Sequence, residues 1–206
     1  LILLKTKSKS QRNISKKNSA LVAWCCRIHI LRSIRDFLNS TKINIFIQDI
    51  FMNEKKFLSD LTIVIDSREQ RPYSFPGCKT TVQGLPIGDY GLLNCPDVAI
   101  ERKSIDDLIV SLTKGRDRFK KELQKGSQLP YFGLVIESSL SDLDNGRYGS
   151  AMLPKSAVQT LLSWSVKYGT HVFFCETREY AEKVTLSLLL KYARQFYQKF
   201  NLLTKR

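Results

Sequence analysis

Across DVAIERKSIDDLIVSLTKG, residues 97–115, the chain changes its hydrophobic period within a single residue. Val98, Ala99 and Ile100 form a short apolar run of the kind buried in a sheet. Ile105, Leu108, Ile109 and Leu112 then recur at i, i+3, i+4 and i+7, the stripe of an amphipathic helix. Ser104 is placed to cap that helix and Gly115 to end it. A strand that passes directly into such a helix belongs in a layered α/β domain. Between the two lie Glu101, Arg102 and Lys103. Charged side chains are seldom fully buried unless paired, so this strand ends by leaving the core.

The surrounding pattern agrees. LTIVID is a buried strand ending in Asp66, and CKTTVQGLPIGDYGLL reads as strand, turn and strand, punctuated by Gly84, Pro86 and Gly88. RDRFKKELQKGSQ is a second helix with a basic exposed side. YFGLVIES is a strand, SDLDNGRYGSAML a loop, and Pro154 opens a helix through KSAVQTLLSWSVKYG. HVFFC is a strand. Thr177 caps a long last helix whose apolar face is expected to hold Ala181, Val184, Leu188, Tyr192 and Phe196. Trp164, Phe173 and Phe174 are expected in the core, and His171 in a structural role at a strand start. Strands first, then helix and strand in alternation, give an α/β fold with a mixed central sheet flanked by helices. There is no internal repeat.

The 206 residues carry 33 Lys and Arg against 19 Asp and Glu, a formal net charge of +14. Such a surplus favours an anionic partner, most often nucleic acid and sometimes a membrane surface. It is uneven: residues 1–51 hold ten basic and two acidic residues, residues 52–206 twenty-three and seventeen. Two divisions are therefore expected, a basic extension over 1–51 and a folded domain over 52–206. Within the extension, KTKSKSQRNISKKNS has the composition of disordered chain. ALVAWCCRIHILRSIRDFL fits an amphipathic helix, and INIFIQDIF a strand or its continuation. Met52 is the first methionine and reads as a natural start, so the extension is expected to be upstream sequence. A basic nucleic-acid-binding arm or a transit peptide is the alternative. Five cysteines without a CxxC pair argue against a disulfide framework or a regular zinc site and fit a reducing, intracellular compartment. A bacterial or viral cytoplasm, or a nucleus, would satisfy that. No apolar run reaches the roughly 18 residues of a membrane span.

Three acids stand at strand ends: Asp66, Asp89 in Gly-Asp-Tyr, and Glu101. Strand side chains alternate, so Glu101 and Lys103 share a face and Arg102 takes the other. Asp89 and Glu101 on neighbouring strands suit a hard cation, for which one or two carboxylates plus waters suffice. A lysine beside them can steady developing negative charge. Each residue also has a plainer reading. Asp89 fits a turn acid, Glu101 and Lys103 a surface pair, Asp66 a strand-end cap, and Asp107 a partner to Ser104 at the helix start.

The elements IDSRE, GDY and ERKSIDDL closely resemble the nuclease domain of the XPF family of structure-specific endonucleases. Gly115–Arg116, the basic helix after them and YFGLVIE lie where that family has them, so the resemblance spans roughly residues 60–200. It implies a restriction-endonuclease-like fold and Mg²⁺- or Mn²⁺-dependent cleavage of branched or flapped DNA. Matched to the family motif, Asp66, Glu69, Asp89 and Glu101 surround the metal. Asp89, Glu101 and Lys103 carry the chemistry, and Arg102 and Asp107 support it. Arg68, Arg116, Arg118, Lys120, Lys121 and Arg147 are the expected DNA contacts, with Lys125 and Tyr148 as further candidates. No small-molecule cofactor and no membrane is implied. Family nuclease domains usually pair, so a homodimer is expected, with Leu186, Leu188, Leu189 and Leu190 as exposed candidates. The helix-hairpin-helix repeats common in the family do not follow in this sequence, so a stand-alone nuclease is expected. A non-catalytic DNA-binding or scaffold module, or an RNA-directed nuclease, is the competing reading.

Overall fold

In the computed structural model the described residues are 54–204, and the elements expected within residues 1–51 lie outside them. Among the described residues six strands form one sheet. They are β1 (Thr62–Asp66), β2 (Lys79–Gln83), β3 (Tyr90–Leu92), β4 (Cys95–Ser104), β5 (Tyr131–Glu137) and β6 (His171–Phe174), arranged β2-β1-β3-β4-β5-β6. The helices are α1 (Glu54–Asp60), α2 (Ile105–Leu112), α3 (Arg116–Gly126), α4 (Leu140–Asp144), α5 (Pro154–Tyr168) and α6 (Arg178–Thr204). The sheet is mixed. β3 runs antiparallel to β1 and β4, while β1–β2, β4–β5 and β5–β6 are parallel.

Each face of the sheet buries its own core. On one face Ala99, Leu134 and Ile136 pack beneath Leu108 and Leu112 of α2, Phe119 and Leu123 of α3, and Leu161 and Trp164 of α5. On the other, Ile63, Ile65, Tyr90, Ile100 and Val135 pack beneath Ala181, Leu189 and Ala193 of α6, with Phe57 and Leu58 of α1 beside them. Period-two alternation along β4 and β5 thus divides the strands between two helical layers. Gly126 lets α3 close on β5: a Cβ there would lie 2.5 Å from the Phe132 ring. That approach seats the C-terminal end of α3 on the first residues of β5.

Several expectations change. Gly115 does not end α2; Thr113 does, and Gly115 caps the start of α3. The segment expected as loop after β5 contains α4, started by a Ser139–Asp142 capping box. The buried stripe of α6 is Ala181, Thr185, Leu189, Ala193 and Tyr197, and Phe196 is 49% exposed. A spacing of strictly four residues slips this stripe gradually around the helix, away from the face counted from Val184 and Leu188. Leu189, expected on the exposed side, is fully buried, and Leu186, Leu188 and Leu190 are half-buried. β2 and β3, adjacent in sequence, are separated by β1. Residues 67–78 cross between β1 and β2 without a helix. The segment packs by Tyr73, stacked on Tyr90 at 4.9 Å, and by Phe75, edge-on to both rings.

Candidate active site

β3 and β4 form a hairpin with Tyr90 opposite Ile100, so the residues before Tyr90 meet the residues after Ile100 at one end of the sheet. Gly88 permits the approach. Its φ is +74°, and a Cβ would stand 3.0 Å from the Ile100 carbonyl oxygen and 3.1 Å from the Ala99 Cβ. Only glycine meets both demands without strain. Asp89 then donates its N–H to the Ile100 carbonyl (2.8 Å), and its Oδ2 accepts the Arg102 N–H (2.7 Å). Asp89 is thus tied to the β4 backbone on either side of Glu101, by its main-chain N–H to Ile100 and by its carboxylate to Arg102.

Glu101 is buried and points to the face covered by α2 and α3. Lys103, two residues on, shares that face. Its Nζ donates to Glu101 Oε1 at 2.6 Å and lies 4.8 Å from the centre of the Phe119 ring of α3. Burial, then the Glu101 carboxylate, pushes the Asp89 pKa up to about 8. Burial pulls the Lys103 ammonium down, but the Glu101 carboxylate outweighs it, and the net shift is upward. The charges here favour one another's compensation and are short of one cation.

A residue missed in the sequence completes this cluster. Glu122 of α3 is half-buried and hydrogen-bonds with the Glu101 carboxyl; burial and then the Glu101 charge push its pKa up to about 7. The signal was present: Phe119, Glu122, Leu123 and Gly126 recur at i, i+3, i+4 and i+7, so an acid occupies the inward stripe of an otherwise basic helix.

Arg102 points to the opposite face. Its Nε and Nη2 donate to the two Glu137 oxygens at 2.8 and 2.9 Å, and its Nη1 lies 3.7 Å from Glu69. Glu137 also accepts from Tyr73 Oη (2.9 Å) and Arg178 Nη1 (2.8 Å). Arg178 in turn donates to the carbonyls of Arg71 and Pro72 and covers the Tyr73 ring.

The other expected site residues are placed as follows. Asp66 is buried, and its carboxylate accepts from Arg68 N, Nε and Nη2 and from Leu85 N at 2.6–2.9 Å. The Arg68 hydrogen bond holds its pKa low. These bonds tie Asp66 to the loop that leads to Gly88 and Asp89. Glu69 accepts the Arg71 N–H and faces Arg102. Asp107 is exposed and closes the start of α2 with Ser104, whose Oγ accepts its N–H and donates to its Oδ2. Arg116 lies over Trp164 and donates to the Leu112 carbonyl, which ties it to the helices beneath. Lys120 pairs with Asp117, and Arg147 with Asp142. Arg118 and Lys121 are exposed on α3, and Arg68 is 71% exposed.

No three His, Cys, Asp or Glu side chains form a ready metal cage among the described residues. The donor set nonetheless suits Mg²⁺ or Mn²⁺: Asp89 and Glu101 offer hard oxygens, their mutual repulsion calls for a cation, and such ions keep most of their waters.

The ERCC4 domain signature matches residues 65–188. The chain belongs to the ERCC4-domain family of nucleases. Two solved structures are similar to this ERCC4 domain. XPF from Aeropyrum pernix matches with 20% identity and a TM-score of 0.52, over 68% of this chain and 69% of that one. XPF from Aeropyrum pernix in complex with DNA matches with 20% identity and a TM-score of 0.48, over 67% and 65%. No curated protein matches the sequence. The first likeness establishes the restriction-endonuclease-like fold that the sequence implied.

The electrostatics of this ERCC4 domain lead to a stability prediction. The Asp89 pKa is higher in the folded protein than in unfolded chain, so folded protein without divalent ions retains a proton that the unfolded chain releases. Stability then falls as pH rises from about 4 to about 8. Asp89→Asn cannot ionise and still accepts the Arg102 N–H. In EDTA at pH 8 it is expected to be more stable than the parent by roughly 2–4 kcal/mol. Urea unfolding from pH 5 to 9 checks this, and parallel pH profiles for the two proteins would refute it.

Proposed function

We propose that this ERCC4 domain is a divalent-metal-dependent endonuclease that hydrolyses phosphodiester bonds in branched or flapped DNA. The observation supporting the reading is the meeting of Asp89, Glu101 and Lys103 at the end of the β3–β4 hairpin, with hydrogen bonds holding each group. Asp89 and Glu101 would hold Mg²⁺ or Mn²⁺, which when bound supplies an activated water and offsets charge at the phosphorus centre. Lys103 brings a positive donor beside that pair, where it steadies negative charge as the bond breaks. Arg102 stays on the other face and aims Asp89 through its main-chain N–H. Arg118, Lys121 and Arg68 are exposed basic residues that would contact phosphate. Contacts of that kind carry no base information, so sequence preference is weak. Two copies are proposed to pair; sedimentation as a monomer at micromolar concentration would remove that part.

The test is incubation of the full chain with flap, fork, linear DNA and RNA substrates, in Mg²⁺, Mn²⁺ or EDTA. Cuts in flap or fork DNA that need the metal and disappear in Asp89→Asn support the proposal. Binding without cuts in either metal identifies a scaffold module and ends it. Preferential cutting of RNA would replace the substrate class.

A further inference from the structure

We propose that Glu122 is a positioning residue for Lys103, the second carboxylate that keeps the ammonium in place when Glu101 turns to the cation. The inference rests on the nuclease reading above and extends it to a residue outside the GDY and ERK elements.

The geometry is specific. In the structure Lys103 has one short carboxylate partner, Glu101 at 2.6 Å. Glu101 is also one of the two acids that would face a divalent ion. An oxygen that serves the ion is weakened as a partner for Lys103, because the ion draws away its negative charge. The ammonium would then be left in a confined place, against the Phe119 ring and away from bulk water. Glu122 stands one helical turn beyond Phe119, on the same inward stripe of α3, with its carboxyl hydrogen-bonded to Glu101. Lys103 is therefore bounded by a ring at i and faces the carboxylate charge at i+3 of one helix. As Glu101 turns, Glu122 loses its hydrogen-bond partner and Lys103 loses its counter-charge, and each is the nearest remedy for the other. The proton that the two hydrogen-bonded carboxyls share must pass to water for Glu122 to meet the ammonium as a carboxylate, and Lys103 then keeps one carboxylate partner throughout. A carboxylate serving only as core filler would instead be a costly choice at this position, because an apolar side chain would suit Phe119 and Leu123 better.

The test uses the full chain with Glu122→Gln, Glu122→Asp and Glu122→Ala. In Glu122→Gln, kcat is expected to fall by about ten- to a hundredfold, with KM for DNA unchanged. Glu122→Asp should restore part of the loss. Calcium affinity by calorimetry should stay within threefold of the parent. The side-chain ¹⁵N–¹H signal of the Lys103 ammonium, assigned by its absence in Lys103→Arg, should persist in the calcium-loaded parent and broaden away in calcium-loaded Glu122→Gln. Thermal melting shows that each variant is folded. Unchanged kcat in folded Glu122→Gln overturns the inference, as does an ammonium signal indifferent to Glu122. A tenfold or greater loss of calcium affinity would make Glu122 a metal ligand and overturn it equally. If the parent cuts no DNA while the ammonium signal still depends on Glu122, the nuclease reading fails and the positioning role stands.

Discussion

Replacing Lys103 with alanine is expected to lower kcat for DNA cleavage by about 10²–10⁴-fold, with little change in DNA affinity. The reason is its location. Lys103 is the cation paired with Glu101, held at 2.6 Å and pressed against Phe119, so its charge acts in a confined space where little water screens it. DNA affinity is expected to depend instead on the exposed basic residues Arg118 and Lys121 and on Arg68, which the substitution leaves alone. Lys103→Arg should recover only a small part of the rate, because a planar guanidinium does not fit a space shaped for a compact ammonium. Single-turnover cleavage with metal in excess separates the chemical step from binding. A rate constant within threefold of the parent would remove Lys103 from the reaction.

The second large effect is expected on stability. Glu137→Ala should cost about 3–5 kcal/mol. The Glu137 side chain is 8% exposed and accepts four hydrogen bonds, two from Arg102, one from Tyr73 and one from Arg178. Without it, the equally buried Arg102 guanidinium keeps only Glu69, at 3.7 Å. The damage reaches the proposed active site, since the main chain of Arg102 orients Asp89. Burial raises the Glu137 pKa, but the Arg102 hydrogen bond and its neighbours lower it further, to a net value below the usual carboxylate. Its stabilising contribution is therefore present above the ordinary glutamate range and is lost as pH falls through the lowered value. Urea unfolding at pH 7 measures the loss, and a cost under about 1 kcal/mol would show that the four bonds are worth no more than water.

How much of this was legible in the sequence depended on distance along the chain. The faces of Glu101, Arg102 and Lys103 follow from strand parity alone, and the Ser104 cap from its place before the stripe of α2. Asp89 was legible as a meeting partner because a hairpin returns the chain over a few residues. Glu137 was not: its partners Arg102 and Arg178 lie 35 and 41 residues away, and nothing local to a strand-end glutamate names them. The 67–78 crossover was equally opaque, since its shape is held by Tyr73 and Phe75 on Tyr90 rather than by a repeating pattern. Glu122 was obscured for another reason. Six basic residues surround it in the sequence, and the eye reads charge before period. The placement of Arg116 was equally hidden, since its guanidinium lies over Trp164, 48 residues further along the chain.

The groups of the proposed site and the groups that brace them are made at different times. Asp89, Glu101, Lys103 and Glu122 belong to one unbroken run of hairpin and helices, so they can find one another by closing short loops as the chain emerges from the ribosome. Arg178, which locks Glu137 against the crossover, is synthesised long afterwards at the head of the last helix. The groups of the proposed site thus precede their last brace in synthesis, and a chain interrupted before α6 would carry them without Arg178.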